Sequence, residues 1–425
     1  MVNNMYGLLG KKLGHSYSKV IHEQMLVDKY ELISLDEKDL DIFLKEKQFD
    51  FVNVTIPYKQ TVIPYLNEID DSAKKIGAVN LIVNKCGKLT GYNTDYYGFL
   101  KLVKKSKIDV LNKNCLILGT GGTSKTAHAV LDYLQAKSIT HVSRKSGDSV
   151  ITYQSLTDEE RAKYQVIINT TPVGMYPNID ETPITLDGFV NLEGVIDVIY
   201  NPVRTKLIQE AIQKNLLAVS GLKMLIYQAV QAEEIFFNQT ISENLIDNIY
   251  YGILSEKLNI VLIGMPGVGK TTIGKMLQDE LRRELIDIDT EIEKKVNMSI
   301  PEIFDNYSEE YFRMLEKEVI KEVALKNNAI ISTGGGAILN YCNVENLKTN
   351  GILIHLNRNL DNIMINNNRP LTKSKDELLK LAEKRMPLYD NAKDIKISEL
   401  DISDKKQAVA YIKNKIDIFL KGEMK

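Results

Sequence analysis

The sequence predicts an α/β protein with more than one sheet, and three observations carry that prediction. Short apolar runs recur along the whole chain and alternate with helical patterns, the rhythm of parallel strands and crossover helices. Two of these runs end in glycine-rich turns that lead straight into helical stretches: Gly119-Thr120-Gly121-Gly122 and Gly264-Met265-Pro266-Gly267-Val268-Gly269-Lys270-Thr271. At 425 residues the chain exceeds what one hydrophobic core usually serves, so two or three domains are expected.

Residues 4 to about 105 read as a small α/β unit, with strands at 5–9, 51–56 and 81–83 and a helix over 19–27. A Lys-rich segment at 101–107 leads into a βαβ pattern: strand 114–118, the first glycine turn, helix 124–134 and strand 139–143. Strands at 166–169 and 195–198 follow, then a helical tail from 218 to about 254. A boundary is expected at 255–257, and a second α/β unit begins at 258. Its glycine turn is followed by a strand at 285–288 and a helix from 291. Ser299-Ile300-Pro301-Glu302 is a capping box for a helix that runs on through 320. Buried-type strands lie at 329–332 and 352–356, and parallel sheets are expected in both halves.

Composition narrows the classes. The chain is 44% hydrophobic and 26% charged, ordinary for a globular protein, and its net charge of −2 is dispersed. Neither a nucleic-acid nor a membrane partner is expected from that balance. Cys86, Cys115 and Cys342 lie far apart, without metal spacing or a disulfide framework, which fits a reducing cytoplasm. No basic-then-apolar leader and no membrane-length apolar run is present, so a cytoplasmic chain is expected; its sequence leaves a homo-oligomer open.

The second glycine turn has the G-x-x-x-x-G-K-[ST] pattern between a strand and a helix. Gly264, Gly267 and Gly269 let the backbone N–H groups curl around the phosphates of ATP, next to Thr272 and the helix N-terminus. Lys270 brings a charge to the β/γ-phosphates, and the Thr271 hydroxyl can ligate Mg²⁺. The first turn, with Gly119, Gly121 and Gly122, is a weaker signal, because Ser124 holds the usual third glycine position and an ordinary βα turn would look similar. At the end of the next strand stand Ser143, Arg144 and Lys145, where NAD sites place an acid. An arginine there accommodates a 2′-phosphate and favours NADPH/NADP⁺ over NADH. Upstream, His15-Ser16-Tyr17-Ser18, residues Asn53 to Lys59, Gly77-Ala78-Val79-Asn80 and Gly91 to Asp95 set polar groups beside apolar strands. Together they suit a small polyhydroxylated acid.

These clusters give the first half a resemblance to shikimate dehydrogenase, through seven motifs spread from Gly14 to Gln228. The resemblance implies that Ser16, Ser18, Thr55, Asn80, Tyr200 and Gln228 hold the substrate, with Lys59 as the catalytic proton donor beside Asp95. It puts Asn169, Thr171, Pro172, Gly174 and Met175 on the cofactor side, with Gly221, and adds late motifs at 197–205 and 221–228. Lys19 departs from the proline usual in the family, which implies a looser substrate loop. The implied reaction is reduction of 3-dehydroshikimate to shikimate with NADPH, without a metal.

In the second half, Asp287-Ile288-Asp289 closes a strand near where a γ-phosphate would lie, and Gly334-Gly335-Gly336 permits close backbone approach to a ligand. Arg313, Arg369 and Arg385 suit carboxylate binding and phosphoryl stabilisation. This half is similar to shikimate kinase from 259 to about 396, which implies a nucleoside-monophosphate-kinase-like P-loop fold. The similarity implies Thr271 and Asp287 for Mg²⁺, and Asp289, Arg313, Gly335, Gly336 and Arg385 for shikimate. It also implies Glu316 as a brace for Arg313, Asp289 as the proton acceptor, and Arg369 on a lid that closes over ATP. The segment 360–368 lacks the arginine that the family stacks on adenine.

The expected organisation is a substrate domain at 1–105 with a helical return at 221–254, an NADP-binding Rossmann-type domain at 106–220, and a P-loop kinase domain at 257–425. Two rivals stand beside the two-enzyme reading. One half could serve as a catalytically dead binding module, or the second half could phosphorylate another small molecule; quinate stays open as a substrate of the first.

Overall fold

The computed structural model describes residues 5–13, 17–147, 149–362, 375–398 and 405–422. The chain divides into two compact units between Tyr250 and Tyr251, inside the helix Glu243–Lys257. The first unit holds two six-stranded sheets and the second a five-stranded sheet.

The sheet nearest the N-terminus has the order Glu31–Ser34, Tyr6–Gly10, Phe51–Val54, Leu81–Lys85, Lys88–Tyr92, Glu68–Ile69. It is mixed, which corrects the expectation of parallel strands throughout: Leu81–Lys85 runs antiparallel to both of its neighbours. The cause is local. Cys86 and Gly87 both take positive φ, 53° and 81°, and so make the tight two-residue turn that can only return the chain antiparallel.

The second sheet is parallel, in the order Leu217–Ser220, Gly194–Asp197, Val166–Asn169, Asn114–Leu118, Ser138–Ser143, Val150–Thr152. Its chain starts at Asn114–Leu118, builds outward to one side, then returns to build the other. The carboxyl ends of Asn114–Leu118 and Val166–Asn169 therefore flank the switch point where such sheets bind ligands. Residues 217–220 form an edge strand where the sequence reading expected helix; Asn215, at φ 58°, ends the preceding helix and pairing with Gly194–Asp197 decides the rest.

The third sheet is also parallel, ordered Glu284–Asp287, Ala329–Ser332, Asn259–Ile263, Gly351–Leu356, Ile395–Ile397. Asn259–Ile263 is buried at every position, as a central strand covered on both faces must be. Two helix boundaries differ from expectation. The strand stops at Asp287, whose carboxylate caps the next helix by accepting from the Asp289 and Thr290 amides, so that helix starts at Ile288. The long helix expected through 320 is two, Ile300–Asn306 and Glu309–Val323, because Ser308 caps the second one. The capping box at Ser299 and Glu302 is present.

One helix in the first unit places a predicted site residue directly. Thr94–Lys105 is started by Asn93, whose side chain accepts from the Tyr96 amide, and it buries Gly98, Phe99, Leu102 and Val103. That spacing gives one apolar stripe, and burial of Phe99 and Leu102 contributes about 1.5–3 kcal/mol each. The stripe fixes the helix N-terminus, and with it Asp95.

Candidate active sites

In the first unit, Lys59 Nζ donates to Asp95 Oδ2 at 2.6 Å. The two groups come from separate segments, one after the strand Phe51–Val54 and one in the first turn of Thr94–Lys105. Both are partly exposed, so solvent reaches the pair and it is not sealed in the core. Next to it, Asn80 and Gln228 are buried and meet at Thr94, part of the Gly91–Asp95 cluster read from sequence but given no role of its own there. The Thr94 hydroxyl accepts from Asn80 Nδ2 at 3.1 Å and donates to Gln228 Oε1 at 3.3 Å, while the Thr94 amide donates to Asn80 Oδ1 at 2.6 Å. Three of the predicted substrate residues thereby lie on one short stretch of structure, Asn80, Asp95 and Gln228, with Lys59 beside them. Ser18 is buried on the helix Tyr17–His22, and Tyr17 contacts Tyr200 edge-on at 6.2 Å between ring centroids. The Thr55 amide donates to Leu9 O at 2.9 Å, which leaves its hydroxyl for other partners. Ser16 lies outside the described residues.

Gly119 ends the strand Asn114–Leu118 at φ 108°, a conformation that favours glycine. The helix Gly122–Tyr133 then begins at Gly121 with no side-chain cap, and a Cβ built at Gly121 or Gly122 meets nothing within 4 Å. An uncapped helix N-terminus in open space fits a diphosphate. Arg144 and Lys145 are exposed at the end of Ser138–Ser143, where a 2′-phosphate would be met. Across the switch point, Asn169 Oδ1 accepts from the Thr171 amide and hydroxyl, and Asn169 Nδ2 donates to Asp197 Oδ1 at 3.0 Å. Asp197 also accepts from Thr205 and from the Ile199 amide, and burial raises its carboxyl to about 6 despite these donors. That buried brace joins two of the motifs read from sequence and fixes Thr171. Gly221 caps the helix that carries Gln228, and a Cβ there would fall 1.9 Å from Val198 O, so its role is close packing of the backbone.

The second unit has a cavity of about 650 Å³, within the usual range for a small-molecule site. Its lining includes Gly267, Gly269, Lys270, Thr271 and Thr272 of the glycine loop and helix start, together with Asp289, Arg313, Gly335, Gly336 and Arg385. Gly264 and Gly269 take φ of 147° and 99°, and helix Lys270–Leu281 starts at Gly269 without a side-chain cap, which fits phosphate on its amides. Lys270 Nζ donates to the Gly264 and Met265 carbonyls at 2.9 and 3.1 Å, holding its charge over the loop. Thr271 Oγ1 donates to Asp287 Oδ2 at 2.8 Å, an oxygen pair of the kind that suits Mg²⁺. Asp289 is half-buried, and burial, then the neighbouring Asp287, raises its carboxyl above the usual range. A raised carboxylate is a better proton acceptor.

Arg313 is clamped from two sides. Its Nη1 donates to the buried Glu316 at 2.9 Å, and its Nη2 and Nε donate to Glu309 Oε1 at 3.0 and 3.3 Å. The guanidinium lies against Gly336, where a Cβ would sit 2.4–2.6 Å from it. Arg385 Nη1 and Tyr389 OH both donate to the Gly335 carbonyl, at 3.1 and 2.5 Å. Glu309 and Tyr389 were not foreseen, although Glu309 is legible as an i,i+4 partner of Arg313. Arg369, its lid and most of the segment noted for its missing arginine lie outside the described residues.

Fold and site together define two classes: a nicotinamide-dependent oxidoreductase in the first unit and a P-loop phosphotransferase in the second. Comparison with known proteins narrows both. Residues 8–82 match the shikimate dehydrogenase substrate binding domain, and residues 266–417 match shikimate kinase. The NADP(+)-dependent shikimate dehydrogenase of Clostridium beijerinckii is 39% identical over 262 residues, covering 58% of this chain and 96% of that protein. A crystal structure of a chorismate mutase/shikimate 5-dehydrogenase fusion from Clostridium acetobutylicum aligns with TM-score 0.55 at 37% identity, over 59% of this chain and 96% of the other. The Thermus thermophilus shikimate 5-dehydrogenase, solved with NADP(H) and shikimate, aligns with TM-score 0.53 at 25% identity, over 58% of this chain and 98% of the other. The chain belongs to the shikimate dehydrogenase family and carries a shikimate kinase domain behind it.

Proposed function

We infer that the chain catalyses two consecutive steps of the shikimate pathway: NADPH-dependent reduction of 3-dehydroshikimate to shikimate, then ATP-dependent phosphorylation to shikimate 3-phosphate. The observation that carries this reading is the pairing itself, because the product of the first matched family is the substrate of the second. Residues 1–105 with 221–254 hold the substrate, 106–220 the dinucleotide and 257–425 the kinase chemistry. When bound, NADPH supplies hydride to the ketone carbon, and ATP with Mg²⁺ supplies the phosphoryl group.

The chain's own groups do the rest. Lys59 Nζ gives a proton to the substrate oxygen and takes it back in the reverse reaction, with Asp95 fixing the ammonium at 2.6 Å. Ser16, Ser18, Thr55, Asn80, Tyr200 and Gln228 hold the hydroxyls and carboxylate. In the kinase, Arg313 and Arg385 grip the carboxylate of shikimate, and the N–H groups of Arg313 not engaged by Glu309 and Glu316 are the ones that meet it. Asp289 takes the proton from the accepting hydroxyl, and Lys270 and Arg369 stabilise the transferring group. A neutral acceptor would leave the arginines without a carboxylate, which favours shikimate over other small alcohols.

Gly336→Ala tests that grip. The new methyl must displace the guanidinium of Arg313, so the kinase KM for shikimate is expected to rise about tenfold while its KM for ATP stays within twofold. An unchanged shikimate KM would remove Arg313 from the acceptor site. For the function as a whole, the chain is given 3-dehydroshikimate, NADPH and ATP, and both NADPH loss and ADP release are followed. ADP release should lag behind NADPH oxidation and vanish when NADPH is withheld; ADP formed without it contradicts the proposed order.

A further inference from the structure

The first unit also holds a buried polar bridge that no proposed catalytic step uses. His22 Nδ1 and Glu233 Oε1 are 2.7 Å apart, and both side chains are fully buried. Glu233 Oε2 accepts from the Leu26 amide at 2.8 Å, so both oxygens hold the chain at the end of helix Tyr17–His22. The His22 ring stacks on Tyr30 at 4.3 Å between centroids, and the Tyr30 hydroxyl donates to Asn53 Oδ1 at 2.7 Å.

Three members stand close in sequence to a proposed substrate contact. His22 is one helical turn from Ser18, Asn53 is two residues before Thr55, and Glu233 lies on the helix Leu222–Phe237 that carries Gln228. A carboxylate buried among the apolar side chains of this region is expensive unless its position is fixed by donors. Here one partner, His22, lies on the helix that also carries Ser18, and the other, the Leu26 amide, follows that helix by four residues.

We propose that Glu233, through His22 and the Leu26 amide, is a positioning residue of the dehydrogenase: it fixes the Ser18 helix against the Gln228 helix and so sets affinity for the hydroxylated acid. The proposal rests on the reading of Ser18 and Gln228 as substrate contacts. Bonds made behind the pocket act on substrate binding in ground and transition states alike, so their loss raises KM more than it lowers kcat. Lys59, Asp95 and the dinucleotide turn lie outside the bridge.

The test uses the full chain and measures shikimate oxidation with NADP⁺. Glu233→Leu removes both bonds and should raise the shikimate KM about tenfold, below the hundredfold that a 1 Å misplacement can produce. The KM for NADP⁺ and kcat should stay within about twofold, and the kinase activity of the same chain serves as an internal control. Glu233→Gln can serve both contacts when His22 carries its proton on Nε2, and should restore a shikimate KM near that of the natural chain. If Glu233→Leu does not fold, His22→Leu with Glu233→Leu replaces the pair by apolar groups, which commonly preserves stability, and the same KM rise is required of it. An unchanged shikimate KM in a folded variant, or equal rises for shikimate and NADP⁺, overturns the proposal. Ser18→Ala and Gln228→Ala separate the two levels. If they leave the shikimate KM unchanged, the substrate reading fails; if they raise it while the Glu233 variants do not, only the positioning role fails.

Discussion

Lys59→Ala is expected to lower the dehydrogenase kcat by about 10³-fold or more and to leave the kinase within twofold. The ammonium is held at 2.6 Å by Asp95 and is the only group of that pair able to donate a proton when the lysine is charged and the carboxylate ionised. Alanine removes the donor and leaves Asp95 without its counter-charge, so both proton delivery and orientation of the substrate oxygen are lost. The pair is partly exposed, so water can solvate the remaining carboxylate and the fold should survive. Steady-state rates of both reactions in one preparation check this. Loss of both activities in a protein with unchanged thermal unfolding would show that the two sites are not independent.

The reciprocal result is expected from Lys270→Ala, with kinase kcat down by about 10²–10³-fold and the dehydrogenase unchanged. Lys270 is buried and donates to two carbonyls of its own loop, Gly264 and Met265. Its loss removes the charge that the phosphates meet and also two bonds that hold the loop closed. Phosphoryl transfer relies almost wholly on positioning and charge, and the other cations among the described lining residues, Arg313 and Arg385, are the ones proposed to hold the acceptor's carboxylate. Measured kinase turnover within tenfold of the natural chain would remove Lys270 from the reaction.

Most of the second unit was legible because its signals are local. The glycine loop is a contiguous pattern whose geometry depends on Gly264 and Gly269 taking left-handed φ, and both do. The capping box at Ser299 and Glu302 is likewise a four-residue code. What escaped were features in which pairing outweighs local pattern. Residues 217–220 are too few to show a period, and only the neighbouring strand Gly194–Asp197 makes them a strand. The helix break before Glu309 depends on Ser308 capping onto Tyr311, a choice that an otherwise helical stretch does not announce.

The sequence by itself determined the chemistry: a glycine loop with Lys270 and Thr271, a lysine and an aspartate near strand ends, and arginines suited to an anionic acceptor. Chemical identity is a property of residues, and each motif, such as Gly264 to Thr271, groups part of the needed set within a few positions. The family resemblance implied the Lys59–Asp95 pair, and beyond it the tertiary structure alone decided which groups meet. Lys59 joins Asp95 across 36 residues, Thr94 joins Gln228 across 134, and His22 joins Glu233 across 211. Contacts of that span depend on sheet order and on which helix faces pack together, and no pattern along the chain encodes them directly.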